Sequence, residues 1–202
     1  MSNDYVEELD VIHTTLTNGG LILYPTDTVW GIGGNALNVK TVEKIYKVKK
    51  RPRELPFILL VDSIEMLKKY VFIHPRLETL LSFHEKPLSI VYSEVRDLPA
   101  EVLSENGSIA MRVTLDPFCK EIITLLGNPI VSTSANVNGD EFPKHFHEVS
   151  SQISILSIPG RVRDSRTPRK RPGRSTPNMC AAFPPRISSL SASLRKSQCM
   201  RI

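Results

Sequence analysis

Apolar positions along the chain change period repeatedly, and each change marks an element. Between Tyr5 and Asn18, the residues Val6, Leu9, Ile12 and Leu16 recur close to helical spacing, and Gly19-Gly20 ends the run. Residues 21–24 are a short apolar run closed by Pro25, which reads as a strand. Asn38 is placed to cap a helix over 39–50 with Val42, Ile45, Tyr46 and Val48 on its apolar side; Pro52 and Pro56 stop it. Residues 57–61 read as a buried strand. Ser63 caps a short helix carrying Met66 and Leu67, and 77–83 has helical character. Strands are expected at 88–92, 109–113 and 129–132, and a helix at 118–126 with Pro117 as its first residue. A last helix is expected within 148–153. Alternating strands and helices argue for one layered α/β (α+β) domain over residues 5–155. After about Ile155 the periodicity fades into Arg, Ser and Pro, so 156–202 is expected to be a basic C-terminal segment, with "ISSLSASL" a weak strand or helix within it.

Charge sharpens that boundary. The net charge of the 202 residues is +5, but residues 151–202 carry 11 Lys and Arg against one acid, Asp164, and residues 1–150 carry 15 against 20. A tail of +10 can bind nucleic acid, or it can be a solvated extension. No apolar run reaches the roughly 20 residues of a membrane span. The acidic, polar start does not read as a signal peptide. Cys119, Cys180 and Cys199 form no metal or redox spacing, so the cytoplasm is the expected location.

Four stretches carry candidate chemistry. "YPTDTVWGIGG" (24–34) reads as a Gly-rich turn or a ligand loop; it matches neither a dinucleotide fingerprint nor a phosphate loop. "KVKKRPRELP" (47–56) sets five cations within seven residues at a helix end. There they either complement the helix dipole in solvent or clamp a phosphate. "GSIAMRV" (107–113) places Arg112 inside an apolar strand, which is costly unless the guanidinium is paired or faces a cavity. It suits a structural ion pair or a carboxylate or phosphate ligand. "PIVSTSANVNG" (129–139) ends a strand in hydroxyls and an amide, either a self-satisfied turn or a row of donors for a ligand. His74, His84, His145 and His147 form no metal pattern, and no Ser-His-Asp elbow is present.

In order, "LILYPTDTVWGIGGNA", "IYKVKKRP", "SIAMRV" and "GNPIVSTSAN" resemble the YrdC-like family of threonylcarbamoyl-AMP synthases over residues 19–139, including its K-x-R pair (Lys49, Arg51) and S-x-N pair (Ser134, Asn136). The resemblance implies a twisted mixed sheet flanked by helices around a large basic cavity. It implies substrates ATP, L-threonine and bicarbonate, with Mg²⁺ accompanying the ATP. The products would be diphosphate and threonylcarbamoyl-adenylate, whose acyl group a partner enzyme transfers to a tRNA adenosine. By resemblance, Lys49, Arg51, Ser134 and Asn136 are the catalytic, ATP-binding set, with Ser108 a secondary contact. Thr28, Arg112 and Ser132 would hold threonine.

The chain also departs from that pattern. Leu55 and Leu60 stand where many members carry polar residues, Glu85-Lys86 replaces a Pro-Gly, and Asn138-Gly139 replaces a Ser-Gly. The usual closing strand survives only as Gly173, Ser175 and Thr176, followed by Pro177. The tail therefore reads as an out-of-frame or divergent extension. Two other readings stay open: an RNA-binding module of the same fold contacting tRNA or dsRNA, and an inactive remnant.

Overall fold

The computed structural model describes residues 3–26, 29–137, 139, 141, 143, 146–149, 153 and 199–201. All of them belong to one unit, Met1–Val162 with Ser197–Ile202; the other unit, Arg163–Lys196, contains none. Five helices are described: α1 (Asn3–Thr17), α2 (Val39–Lys49), α3 (Ile64–Tyr70), α4 (Pro75–Ser82) and α5 (Pro117–Leu126). The strands are β1 (Ile22–Pro25), β2 (Trp30–Asn35), β3 (Ile58–Val61), β4 (Ser89–Tyr92), β5 (Ile109–Val113), β6 (Ile130–Ser134) and β7 (Cys199–Arg201). Their order is β1-β2-β6-β3-β5-β4, a six-stranded mixed sheet, with the short β7 added beside β4. The β3–β5 and β4–β7 pairs are parallel and the rest antiparallel. This is the mixed sheet flanked by helices expected above.

Most elements form where the pattern places them, and local chemistry sets their ends. Asn38 Oδ1 accepts from the Thr41 amide at 3.3 Å to start α2, and Ser63 Oγ accepts from the Met66 amide at 3.2 Å to start α3. Asp116 Oδ1 accepts from the Cys119 amide at 2.9 Å ahead of Pro117, and Gly127 closes α5 in the left-handed region at φ 72°. Of the helix expected within 148–153, Glu148 closes a 3₁₀ turn at Phe146–Glu148 and Ile153 is helical. The "ISSLSASL" stretch and the residues of the closing-strand remnant lie outside the described residues.

Two expectations need correction. The Gly-rich stretch after Tyr24 is more than a turn or a loop: 30–35 is a strand, antiparallel to β1 on one side and to β6 on the other. Glycine hides it from pattern reading, yet glycine is what lets it pair. The Tyr24 ring crosses β2 over Gly31 and Gly33, and a Cβ on Gly33 would collide with the Val131 carbonyl and lie 2.8 Å from Tyr24 Oη. Because β2 runs alongside it, β6 extends to Ser134, two residues past the expected end, with Gly31 opposite Ser134 and Gly33 opposite Ser132.

Register divides the sheet into two faces. Ile32, Leu59, Val61, Met111, Val113 and Val131 share one face and belong to the buried core. Gly31, Ile58, Leu60, Arg112, Ser132 and Ser134 share the other. Replacing Gly33 with Ala should cost about 2 kcal/mol through the clash with Val131 and Tyr24. Urea unfolding should show a lower midpoint with an unchanged slope, and an unchanged midpoint would refute the packing argument.

Candidate active site

Lys49 ends α2, where a cation normally reaches into water. Here the residue is 2% exposed. Its ammonium donates to Ser134 O at 2.5 Å, Asn136 O at 2.7 Å and Asn136 Oδ1 at 3.2 Å, with Ser134 Oγ farther off at 3.4 Å. Ser134 Oγ in turn donates to Asn136 Oδ1 at 2.5 Å. The solvated-end reading therefore fails for Lys49, and the K-x-R lysine meets both members of the S-x-N pair directly. Among the described residues no carboxylate pairs with this ammonium; the two ion pairs present are Arg53–Glu43 and Lys68–Glu78. Burial, and then the Arg51 cation, push the Lys49 pKa down to about 8.

Arg51 follows the helix and folds back on its own loop. Nε donates to Leu55 O at 2.8 Å and Nη2 to Pro56 O at 3.1 Å, and the guanidinium sits 5.2 Å from the Phe57 ring centroid. A guanidinium has five N–H donors, so these two bonds fix its plane without exhausting it. Position 55, where the family is often polar, contributes only its backbone carbonyl to this arrangement; the Leu55 side chain is exposed.

A cleft of about 100 Å³ opens on the polar face of the sheet, lined by Thr26, Val29, Gly31, Ile58, Leu60, Arg112 and Ser132 to Ser134. The volume suits a small amino acid; nucleotide-sized ligands fill roughly 300 Å³ or more. Arg112 is 9% exposed and faces this space, so its place in an apolar strand is explained by a cavity. Its Nε donates to Ser89 Oγ at 2.9 Å. Leu60, opposite Arg112 in register, supplies an apolar wall. The rim is a tight turn in which Thr26 Oγ1 donates to Val29 O at 2.7 Å and accepts from the Val29 amide at 3.2 Å. Thr28, within that turn, lies outside the described residues.

The structure thus gathers Lys49, Ser134 and Asn136 into one bonded cluster. Through Ser134 that cluster joins the cleft holding Ser132 and Arg112. Ser108 sits apart, in the turn before β5, with its Oγ 2.7 Å from Ser104 Oγ and its amide bonded to Ser104 Oγ and Asn106 Oδ1. Ser89 and Ile58 were not legible as site residues, because a serine or an aliphatic residue in a strand carries no signal of its own. Register was the missing information. Tyr24, wholly buried, has its phenol pKa pushed up by desolvation, with Ser132 and Arg112 acting against that shift.

The fold and site together define an α/β domain with a small cleft, lined by Arg112, Ser132 and Ser134, beside a buried lysine held by carbonyls. The family model Sua5_yciO_yrdC, described as telomere recombination, matches residues 14–158, and the chain belongs to that family. The threonylcarbamoyl-AMP synthase of Aliivibrio fischeri is 32% identical over 179 positions, covering 80% of this chain and 96% of that protein. The synthase of Xanthomonas euvesicatoria is 31% identical, covering 79% and 94%. Sua5 of P. abyssi complexed with L-threonine matches with a TM-score of 0.65 at 29% identity, over 70% of this chain. This chain spans 42% of that longer one.

Lys49 binds fewer protons folded than unfolded between pH 8 and the ordinary lysine value of 10.5. Stability therefore rises with pH across that window. Measured by urea unfolding, the wild type should gain stability relative to Lys49→Met as pH climbs from about 8 to about 10. Parallel pH profiles would contradict the burial argument.

Proposed function

We propose that the chain is a threonylcarbamoyl-AMP synthase, a nucleotidyltransferase that joins ATP, L-threonine and bicarbonate for the threonylcarbamoyladenosine modification of tRNA. The observation that carries this reading is the buried Lys49 ammonium. Among the described residues it is balanced by carbonyl dipoles and not by a carboxylate, and it adjoins a cleft with a second cation, Arg112, in a chain about 32% identical to such synthases.

The residues take these roles. Arg112 binds the threonine carboxylate through its guanidinium edge, and Ser132 and Thr28 orient the rest of the amino acid. Arg51 meets the triphosphate with its remaining donors. Lys49 holds the Ser134–Asn136 turn and adds positive charge, while Ser134 and Asn136 bind the nucleotide; Ser108 is a secondary contact. The threonine amine adds to carbon from bicarbonate with loss of water, giving a carbamate. A carbamate oxygen then attacks the α-phosphorus, the bond from that phosphorus to the bridging oxygen breaks, and its electron pair leaves with diphosphate. The protein needs no covalent nucleophile. Its contribution is to hold two anionic reactants together and to stabilise charge growing at phosphorus.

Mg²⁺ belongs to this scheme as part of the nucleotide substrate. Among the described residues no group of three or more His, Cys, Asp or Glu side chains converges, and Mg²⁺ is commonly carried by substrate phosphates. The catalytic domain is residues 5–155, and 156–202 is a basic extension. Among the described residues no helix is long and apolar enough to cross a membrane. The tRNA chemistry of the proposed reaction favours the cytoplasm, beside a transferase that passes the acyl group to tRNA.

Incubation with α-labelled ATP, bicarbonate and threonine should give threonine-dependent diphosphate release. Arg51→Ala or Lys49→Ala should lower kcat by about 100-fold or more. Release that ignores threonine, or that survives both substitutions, would overturn the assignment.

The +10 charge of residues 151–202 favours one addition, direct contact with the tRNA backbone. Affinity of the full chain for tRNA should then fall by tenfold or more between roughly 50 and 200 mM salt. Filter-binding titrations showing no salt dependence would exclude it.

A further inference from the structure

We infer that Ser89 is a positioning residue for the amino-acid substrate, acting through Arg112. The inference rests on the synthase reading above and deepens it. Ser89 opens β4, and its residue is 2% exposed. In the β4–β5 ladder Ile90 lies opposite Met111, so the adjoining step sets Ser89 beside Arg112. Ser89 Oγ accepts from Arg112 Nε at 2.9 Å. Ser89 does not line the cleft, whereas Arg112 does.

The physical argument concerns orientation and charge together. An arginine side chain has several rotatable bonds and loses about 2 kcal/mol of rotamer entropy when fixed. A bond at Nε sets the guanidinium plane before any ligand arrives, and a carboxylate can then approach end-on toward the two terminal nitrogens. The chemistry of the acceptor matters equally. A carboxylate at position 89 would orient the same guanidinium but would also neutralise it, and would compete with a substrate carboxylate. A hydroxyl oxygen orients the fork without adding a negative charge beside it.

The test measures L-threonine binding to the full chain by titration calorimetry, alongside steady-state kinetics of diphosphate release. Ser89→Ala should weaken threonine binding and raise its KM by about tenfold, the scale of one lost bond to a charged group. Its kcat and the KM for ATP should stay within about twofold. Ser89→Thr should restore wild-type threonine affinity. Ser89→Asp should bind threonine more weakly than Ser89→Ala, because the guanidinium is then neutralised. In an Arg112→Ala background, Ser89→Ala should add no further loss. The inference is overturned if Ser89→Ala leaves threonine affinity unchanged. It is equally overturned if the loss persists without Arg112, or if only melting temperature and kcat fall. A wild type that binds threonine but releases no diphosphate defeats the synthase reading alone, and the binding arm still decides the role of Ser89.

Discussion

The structure depends on one buried cation. The Lys49 ammonium ties the end of α2 to a turn 85 to 87 residues further along the chain, using backbone and side-chain oxygens of Ser134 and Asn136. Removing such a charge from water costs several kcal/mol unless its protons are satisfied. The turn supplies those acceptors, and in exchange its own geometry becomes fixed. The pairing of β2 with β6 continues up to that turn: Ala135 N donates to Trp30 O at 2.8 Å, and Gly31 pairs with Ser134. The end of an interior strand, the turn after it and a helix end thus meet at one ammonium group.

That cross-link also organises the chemistry. On one side of Ser134 stand Lys49 and Arg51, and on the other the cleft runs to Arg112. Lys49, Arg51 and Arg112 thus place positive charge on both sides of Ser134. Such an arrangement favours positioning over covalent catalysis. It also accounts for a glycine-rich β2. Bulkier residues at 31 and 33 would displace the Tyr24 ring and push β2 away from the strand that carries Ser132 and Ser134.

Much of this was legible residue by residue. Asn38, Ser63 and Pro117 announced three helix starts, because caps and ring constraints act locally. Arg112 was conspicuous as a lone charge in an apolar strand, and the structure gives it a cavity and a hydroxyl partner. What stayed hidden depends on contacts far apart in sequence. β2 was invisible because its glycines answer to Tyr24 and Val131 and not to any strand propensity. Lys49 read either as a helix-end cation in solvent or as a phosphate clamp, and its burial under the distant turn shows only in the fold. Ser89 carried no local signal, and only the β4–β5 register places it beside Arg112. The cleft's apolar wall at Leu60, a departure from the family's polar residue, acquires its meaning from the same register.

The central claim is that carbamate formation precedes adenylation in a site organised by Lys49. The most direct measurement is mass spectrometry of the adenylate formed from ATP, threonine and ¹³C-bicarbonate. The account predicts an adenylate that carries the label within a threonylcarbamoyl group, and its absence with Lys49→Ala. An unlabelled threonyl-adenylate, or labelled product undiminished in that variant, would contradict it.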